Sequence, residues 1–297
     1  MKGGFFVDYL RWNEHPYAGE NRPPRNGEEP LAGSWTMFYL SKSDEKTFKD
    51  PDGQKIRLDI THPSRINWDR QLTKVHHALE NLTEEQINIA NYYGTGVATK
   101  QWTPIIDKLI DSYGVTAPHG ARILAITEAA INDAFIVAWT LKYNWLVARP
   151  NQLDPTLETI LCTPRHPTYP SGHATVAGCA EEVLSYFFPG AKRKIHHEAE
   201  MDALSRLYAG VHFPIDNTEG LKLGRQIGKI VTSHVKQELN ERNQPIDRPY
   251  RARTTTLLTP PEDYSQVIPY DFPTGCQSLV KGQKKVSEIM VQPKLYL

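Results

Sequence analysis

The sequence has 297 residues, of which 39% are hydrophobic and 23% are charged, which suits one large domain or two small ones with a real hydrophobic core. Its 34 lysines and arginines balance 34 aspartates and glutamates. A neutral chain without long basic runs lacks the broad positive surface of nucleic-acid-binding proteins, so we expect no nucleic-acid partner and look for function at local sites.

The sequence contains three cysteines, Cys162, Cys179 and Cys276. They are too few and too scattered for a disulfide framework or a cysteine-rich zinc site. We therefore expect three free thiols, as a reducing compartment would allow.

Apolar runs in the sequence are short. The strongest, residues 134–141, is flanked by Asp133 and Lys142 and is far shorter than a membrane span requires. The N-terminus reaches Asp8 after three apolar residues, so it lacks the apolar stretch of a secretory signal. We expect a cytoplasmic protein with no membrane span.

Residues 1–67 are rich in proline, glycine and asparagine. A turn at residues 50–53 separates two apolar segments, 36–40 and 56–60, which predicts a β-hairpin. This part of the chain is interpreted as an N-terminal loop and hairpin arm.

Residues 68–242 change to a helical period and contain clear helix-start signals. Thr83 to Gln86 form a capping-box sequence, and Thr103 followed by Pro104 places a cap before a first-turn proline. The apolar pattern predicts further helices at 118–147, 174–188, 195–208 and 217–239. The fold class that follows is all-α, with a helical bundle as the catalytic core.

Residues 243–297 contain repeated prolines and little periodicity. They predict an extended C-terminal tail that packs on the core or on a neighbouring subunit. Because proline-rich arms lie at both ends, a homo-oligomer is a further hypothesis.

The first block of candidate functional residues is Lys142 to Pro150. Seven residues on a helix return to nearly the same face, so Lys142 and Arg149 are predicted to point the same way from the end of the longest helix. The alternative is that both cations merely complement the helix dipole.

The second block is Tyr169 to Thr175, at the start of a predicted helix. Ser171 and Gly172 would present a hydroxyl and backbone N–H groups to an anion, and His173 would lie over it. Gly172 would let the anion approach the backbone. The alternative is an ordinary serine cap followed by a first-turn histidine.

The third block runs from Ser205 to Asp216. Arg206 offers a planar fork for an oxyanion, and His212 lies beyond a glycine turn, where a neutral imidazole could attack phosphorus or bind a metal oxyanion. Asp216 could fix its tautomer from the other ring nitrogen. Asp216 also begins a capping-box sequence for the last helix, and the two roles are compatible.

Together the blocks supply cations, backbone donors, a nucleophile and a proton carrier, which a pocket for a tetrahedral or trigonal-bipyramidal oxyanion requires. His166, in the loop before the second block, is a candidate for the pocket mouth. A phosphate-binding protein without catalysis is the alternative, although such a protein would not need two histidines.

The patterns K-x6-R-P, P-S-G-H and S-R-x5-H-x3-D occur in that order. They resemble the three-part signature of the superfamily that contains type 2 phosphatidic acid phosphatases and vanadium-dependent haloperoxidases. The resemblance covers residues 142–216 and implies a helical-bundle core. It also implies that Lys142, Arg149, Ser171, Gly172 and Arg206 hold the oxyanion.

The resemblance further implies that His173 is the acid–base residue and that His212, oriented by Asp216, is the covalent ligand or nucleophile. In a haloperoxidase, His212 would bind vanadate as the cofactor, and peroxide and halide would be the small-molecule substrates. In a soluble acid phosphatase, His212 would form a phosphohistidine with a phosphomonoester. Phosphate and vanadate would share the pocket, and closer similarity around the second and third blocks favours the haloperoxidase-like branch.

Overall fold

Helices form most of the structure, as the sequence predicts. The computed structural model describes residues 9–44, 47–268 and 276–282. Within these ranges, the α-helices are α1 (Trp68–Glu80), α2 (Glu84–Gly94), α3 (Trp102–Ser112), α4 (Ala117–Trp145), α5 (Pro150–Leu153), α6 (Gly172–Phe187), α7 (Lys192–Tyr208) and α8 (Pro214–Val235). The all-α fold class is therefore confirmed.

Local capping explains where several helices begin. The Thr83 side chain accepts a hydrogen bond from the Gln86 N–H and the Gln86 side chain returns one, so the predicted capping box of α2 is formed. The start of α3 differs from the prediction. The Thr99 carbonyl already accepts from the N–H groups of Trp102 and Thr103, so the helix begins before Thr103 and this residue does not cap it.

The close packing of α6 against α8 brings the second and third blocks together. Gly220, Gly224 and Gly228 recur every four residues and therefore lie on one face of α8. A Cβ on Gly224 would lie 2.0 Å from the Thr175 carbonyl oxygen, so the absence of a side chain allows the two backbones to approach. Next to this contact, the Ser171 N–H donates to the Asp216 carbonyl (3.0 Å).

Helix α4 packs against both α6 and α8 and carries Lys142 of the first block. By length and composition it is the one helix in the described ranges that could cross a membrane. The sequence analysis considered only uninterrupted apolar runs, and Asp133 interrupts the apolar residues of this helix. Within the fold, 67% of its most apolar window is buried, as in the central helix of a bundle.

The N-terminal arm is anchored to α4 and does not form the long hairpin that the sequence predicts. The predicted strands at 36–40 and 56–60 are wrong, and a short pair, β1 (Ser41–Lys42) and β2 (Phe48–Lys49), forms between them. The buried Asp133 carboxylate accepts the N–H groups of residues 38, 39 and 40, each at 2.8 Å, which leaves them unavailable to a strand partner. The predicted turn at 50–53 is present, closed by the Gly53 N–H to the Asp50 carbonyl.

The described parts of the C-terminal tail, residues 243–268 and 276–282, lie on the protein's own bundle, and the rest of the predicted tail lies outside the described residues. The Tyr250 N–H donates to the Phe187 carbonyl at the end of α6 (2.8 Å). Residues 276–282 run beside the loop that precedes the second block, with the Lys281 N–H bonded to the Thr159 carbonyl (2.8 Å). The tail thus covers helix ends and a loop close to the candidate site.

A disulfide joins Cys162 to Cys276, so the prediction of three free thiols is wrong for these two residues. The two positions are 114 residues apart in sequence, and only the return of the tail brings them together. Cys179 is free and buried, as expected. The inference of a reducing compartment from free thiols loses its support, because disulfides persist mainly in oxidising compartments.

The α6–α8 contact predicts the effect of Gly224→Ala. In a solvent-exposed helix, replacing glycine by alanine would raise the free energy of unfolding by up to about 1 kcal/mol. Here the new methyl group would collide with the Thr175 carbonyl, so we expect the free energy of unfolding to fall by about 2 kcal/mol or more. Gly120→Ala on α4 is the matched control, because its Cβ would make only an ordinary contact at 3.5 Å. Urea unfolding of both variants tests this, and equal stabilities would contradict it.

Candidate oxyanion site

Three separate segments of the chain meet at one buried site. The Lys142 side chain, from the last turn of α4, donates to the carbonyls of Pro167 (2.7 Å) and Thr168 (2.8 Å). Arg149 Nη1 lies 3.0 Å from His212 Nε2. With the Ser171–Asp216 backbone bond, these contacts connect all three blocks that the sequence analysis identified.

Arg149 is not on α4, so the predicted shared helix face is wrong. The helix ends at Trp145, and Leu146 adopts a left-handed conformation with φ of 53°. Arg149 caps the next short helix, α5, yet its side chain still reaches the same site as Lys142. Tertiary contacts, not the helical period, bring the two cations together.

The Arg149 guanidinium is held from several sides. Its Nε donates to the His166 carbonyl (3.0 Å) and its Nη1 to the Val211 carbonyl (2.6 Å). Its Nη2 lies 3.0 Å from His166 Nδ1, and the His166 ring packs 4.8 Å from the Trp139 ring. His166, considered for the pocket mouth, therefore lies in direct contact with the site.

Helix α6 begins at the site with the predicted serine cap. Ser171 Oγ accepts from the Ala174 N–H (3.4 Å). A Cβ on Gly172 would lie 3.1 Å from the Trp139 ring and 3.9 Å from Lys142 Cε, so glycine keeps space open in front of the lysine. The buried Nε2 of His173 has no hydrogen-bond partner among the described residues.

Arg206 enters from the last turn of α7. Its Nε donates to Ser205 Oγ (3.2 Å) and its Nη2 to the Ala90 carbonyl on α2 (3.3 Å). A Cβ on Gly94 would lie 2.7 Å from Nη2, so the end of α2 must be free of a side chain there. The sequence analysis did not predict this role of α2. Every residue has a backbone carbonyl, so no residue type in the sequence marks the one that Arg206 contacts.

His212 and Asp216 form a buried pair. Gly210, with φ of 74°, makes the turn that releases His212 from α7. His212 Nδ1 lies 2.9 Å from Asp216 Oδ2, which also accepts from the Phe213 N–H (3.0 Å). Asp216 is thus the third residue of α8 rather than its cap, because the helix begins at Pro214, earlier than predicted.

The proton positions on His212 follow from its neighbours. A carboxylate can only accept, so Nδ1 carries the proton that it donates to Asp216. Arg149 can only donate, so Nε2 presents its lone pair to Nη1. Burial, and then the positive charge of Arg149, lower the pKa of His212 well below its usual value, which keeps this tautomer neutral.

Positive charge dominates the site. Lys142 and Arg149 are fully buried, and Arg206 is 3% exposed. Burial and mutual repulsion lower the pKa of Lys142 well below its usual value, and that of Arg206 to about 10. The same effects, with burial the largest, lower the pKa of His173 well below its usual value.

The nearby carboxyl groups offset this charge only partly. Burial raises the pKa of Asp216 to about 6 and that of Asp202, one turn before Arg206, to about 7. Buried cations without full compensation cost several kcal/mol each. A small anion with more than one negative charge would therefore be stabilised here by direct ion pairing and by relief of repulsion between the cations.

The residues present fit vanadate or phosphate. The site combines three cations, the open space at Gly172, the unpartnered His173 Nε2 and the lone pair of His212 Nε2. No cluster of three or more His, Cys, Asp or Glu side chains suited to a metal ion occurs in the described ranges. Vanadate, as the resemblance implies, would need one protein nitrogen rather than such a cluster.

Comparison with solved structures shows a shared fold. The chain is similar to a bacterial vanadium-dependent iodoperoxidase, with a TM-score of 0.59, 22% identity, and coverage of 75% of this chain and 60% of that one. For an apo-type bacterial vanadium-dependent chloroperoxidase the TM-score is 0.56 and the sequence identity 17%, with 76% of this chain and 62% of that one covered. For a holo-type bacterial vanadium-dependent chloroperoxidase the TM-score is 0.52 and the sequence identity 15%, with 78% of this chain and 64% of that one covered.

At these identities the likeness establishes the fold alone, and the chain spans about three fifths of the length of these structures. No curated protein matches the sequence significantly. Residues 122–239 match the sequence profile of the PAP2 superfamily, and this range includes all three blocks. This match to the PAP2 superfamily agrees with the resemblance that the three blocks show.

Proposed function

We propose that this protein is an enzyme that binds vanadate at His212 and uses peroxide to oxidise a halide. The observation that carries the proposal is the neutral His212, whose Nε2 lone pair is directed into a buried site rich in cations. An imidazole nitrogen in this state is a metal-oxyanion ligand. The shared fold with two kinds of vanadium-dependent peroxidase supports this choice.

The roles of the remaining residues follow from their contacts. Lys142, Arg149 and Arg206 would hold the oxyanion oxygens, together with the Ser171 hydroxyl and the Gly172 backbone. Vanadate would supply Lewis-acid activation of peroxide when bound. The chain itself orients the oxyanion and keeps its charge compensated.

His173 is placed to move a proton at its Nε2. This atom is buried and has no partner in the described part of the chain. The neutral ring can accept a proton from a bound reactant, and a neighbouring anion would stabilise the charged form that results. Asp216 holds His212 in its reactive tautomer throughout.

Burial of the site favours small reactants. Lys142, Arg149, Ser171 and Asp216 are fully buried, and His212 is 2% exposed. Peroxide and halide ions are small enough to suit a site that is this enclosed. A phosphomonoester would need additional space beside His173 for its alcohol group. Phosphatase activity through a phosphohistidine is the competing function.

Oxyanion binding is expected to stabilise the fold. At a phosphate concentration about 100 times Kd, the free energy of unfolding should rise by about 2.7 kcal/mol relative to chloride of equal ionic strength. Lys142→Met should remove most of this gain, because it deletes a buried cation of the site. Lys236→Met, at the exposed end of α8, is the control. Thermal unfolding measures the effect, and an equal phosphate response in all three proteins would refute the assigned binding site.

A paired assay tests the reaction. After loading with vanadate, we expect peroxide- and halide-dependent halogenation of a β-diketone or a dye, with inhibition by phosphate because both oxyanions share one pocket. The vanadate-free protein should not turn over p-nitrophenyl phosphate. Phosphatase turnover without halogenation would instead select the hydrolytic function.

His173→Ala separates catalysis from binding. Loss of the proton carrier should lower turnover by about 10²–10⁴-fold, while phosphate affinity changes by less than about tenfold because the cations remain. His197→Ala, at an exposed position on α7, is the matched control and should keep wild-type turnover. Wild-type turnover in His173→Ala would exclude the assigned proton transfer.

A further inference from the structure

Thr168 contacts more of the site than any pattern in the sequence indicates. It is fully buried, two residues before Pro170 of the second block. Its N–H donates to the Val147 carbonyl (3.0 Å), and its own carbonyl accepts from Lys142 Nζ (2.8 Å). The backbone of Thr168 is therefore fixed between the first and second blocks.

The Thr168 hydroxyl reaches the third block. It donates to Asp216 Oδ2 (2.5 Å), and its oxygen lies 3.1 Å from His212 Nδ1. Because a hydroxyl has one proton, donation to the carboxylate leaves a lone pair of Thr168 Oγ1 to face the Nδ1 proton. The proton on Nδ1 is therefore shared between Thr168 and Asp216.

The Asp216 carboxylate is held through only one of its two oxygens in the part of the chain that the structure describes. Three donors converge on Oδ2, from Thr168, Phe213 and His212, while the buried Oδ1 has no partner among the residues that the structure describes. Without the Thr168 hydroxyl, Oδ2 would keep one backbone donor beside the imidazole. The carboxylate could then rotate. The Nδ1 proton would also lose Thr168 Oγ1, which is the second oxygen that accepts it besides Asp216 Oδ2.

We infer that Thr168 is a positioning residue that holds His212 in the tautomer with the proton on Nδ1 and the lone pair on Nε2. The inference rests on the proposed function, since a ligand or nucleophile at Nε2 requires that lone pair. Vanadate would bond to this lone pair, whereas phosphate would be held mainly by the three cations. Thr168 should therefore control affinity for vanadate more than affinity for phosphate.

Thr168→Val removes the hydroxyl and keeps the shape, and Thr168→Ser restores the hydroxyl. In protein labelled with ¹⁵N-histidine and free of oxyanions, the His212 signals, assigned by their loss in His212→Gln, should report the Nδ1–H tautomer in wild type and Thr168→Ser. Thr168→Val should show a substantial Nε2–H population. If this variant does not fold, Thr168→Ala makes the same test without placing a methyl group against Asp216.

Calorimetry with vanadate and with phosphate completes the test. We expect Thr168→Val to lower vanadate affinity about tenfold, the scale of one hydrogen bond to a charged group, while phosphate affinity changes less than about threefold. Thr168→Ser should recover the wild-type ratio. Thr127→Val is the matched control, because its buried hydroxyl is bonded to the Ile123 carbonyl within α4.

The outcomes distinguish the inference from the proposed function. An unchanged tautomer in Thr168→Val, or equal losses of both affinities, would overturn the role of Thr168. A shifted tautomer with a selective loss of vanadate affinity would support it, even if the wild-type protein failed to halogenate. In that case the proposed reaction would be rejected while the positioning role stood.

Discussion

Positive charge enclosed inside the bundle is the dominant constraint on this structure. Lys142, Arg149 and Arg206 come from three different segments, and burial lowers the pKa of each. Their Coulombic repulsion is offset in part by backbone carbonyls and by Asp216, whose own charge burial weakens. An anion at this position would relieve the repulsion, and the proposed function accounts in this way for the residue types at the site.

The scaffold meets the constraint through backbone geometry. The glycine face of α8 lets α6 approach, so Ser171 and Asp216 bond directly through their backbones. The loop before α6 supplies the carbonyls that hold Lys142 and the hydroxyl that holds Asp216. The end of α2 supplies a carbonyl to Arg206 and leaves room for its guanidinium at Gly94. Rigid elements therefore position each cation before any ligand binds.

The arm and the tail enclose this core. The carbonyl of Glu28, in the arm, accepts hydrogen bonds from the side chains of Trp139 (3.2 Å) and Tyr143 (2.8 Å) on α4. The tail is joined to the loop before α6 by the Cys162–Cys276 disulfide. Where the structure describes them, both segments therefore pack against elements that carry residues of the site.

Periodicity and capping signals in the sequence determined the helical class and the approximate helix positions, since amphipathic helices and caps are local properties. The residue types of the three blocks also predicted an oxyanion site, because such a site needs cations, a serine–glycine helix start and two histidines in combination. The sequence offered His166 as a candidate for the pocket mouth, but it could not determine that Arg149 lies beyond α4, that Thr168 joins the site, or that Cys162 meets Cys276. These features arise from contacts between segments distant along the chain, including backbone carbonyls that every residue possesses, and only the tertiary structure decides which of them meet.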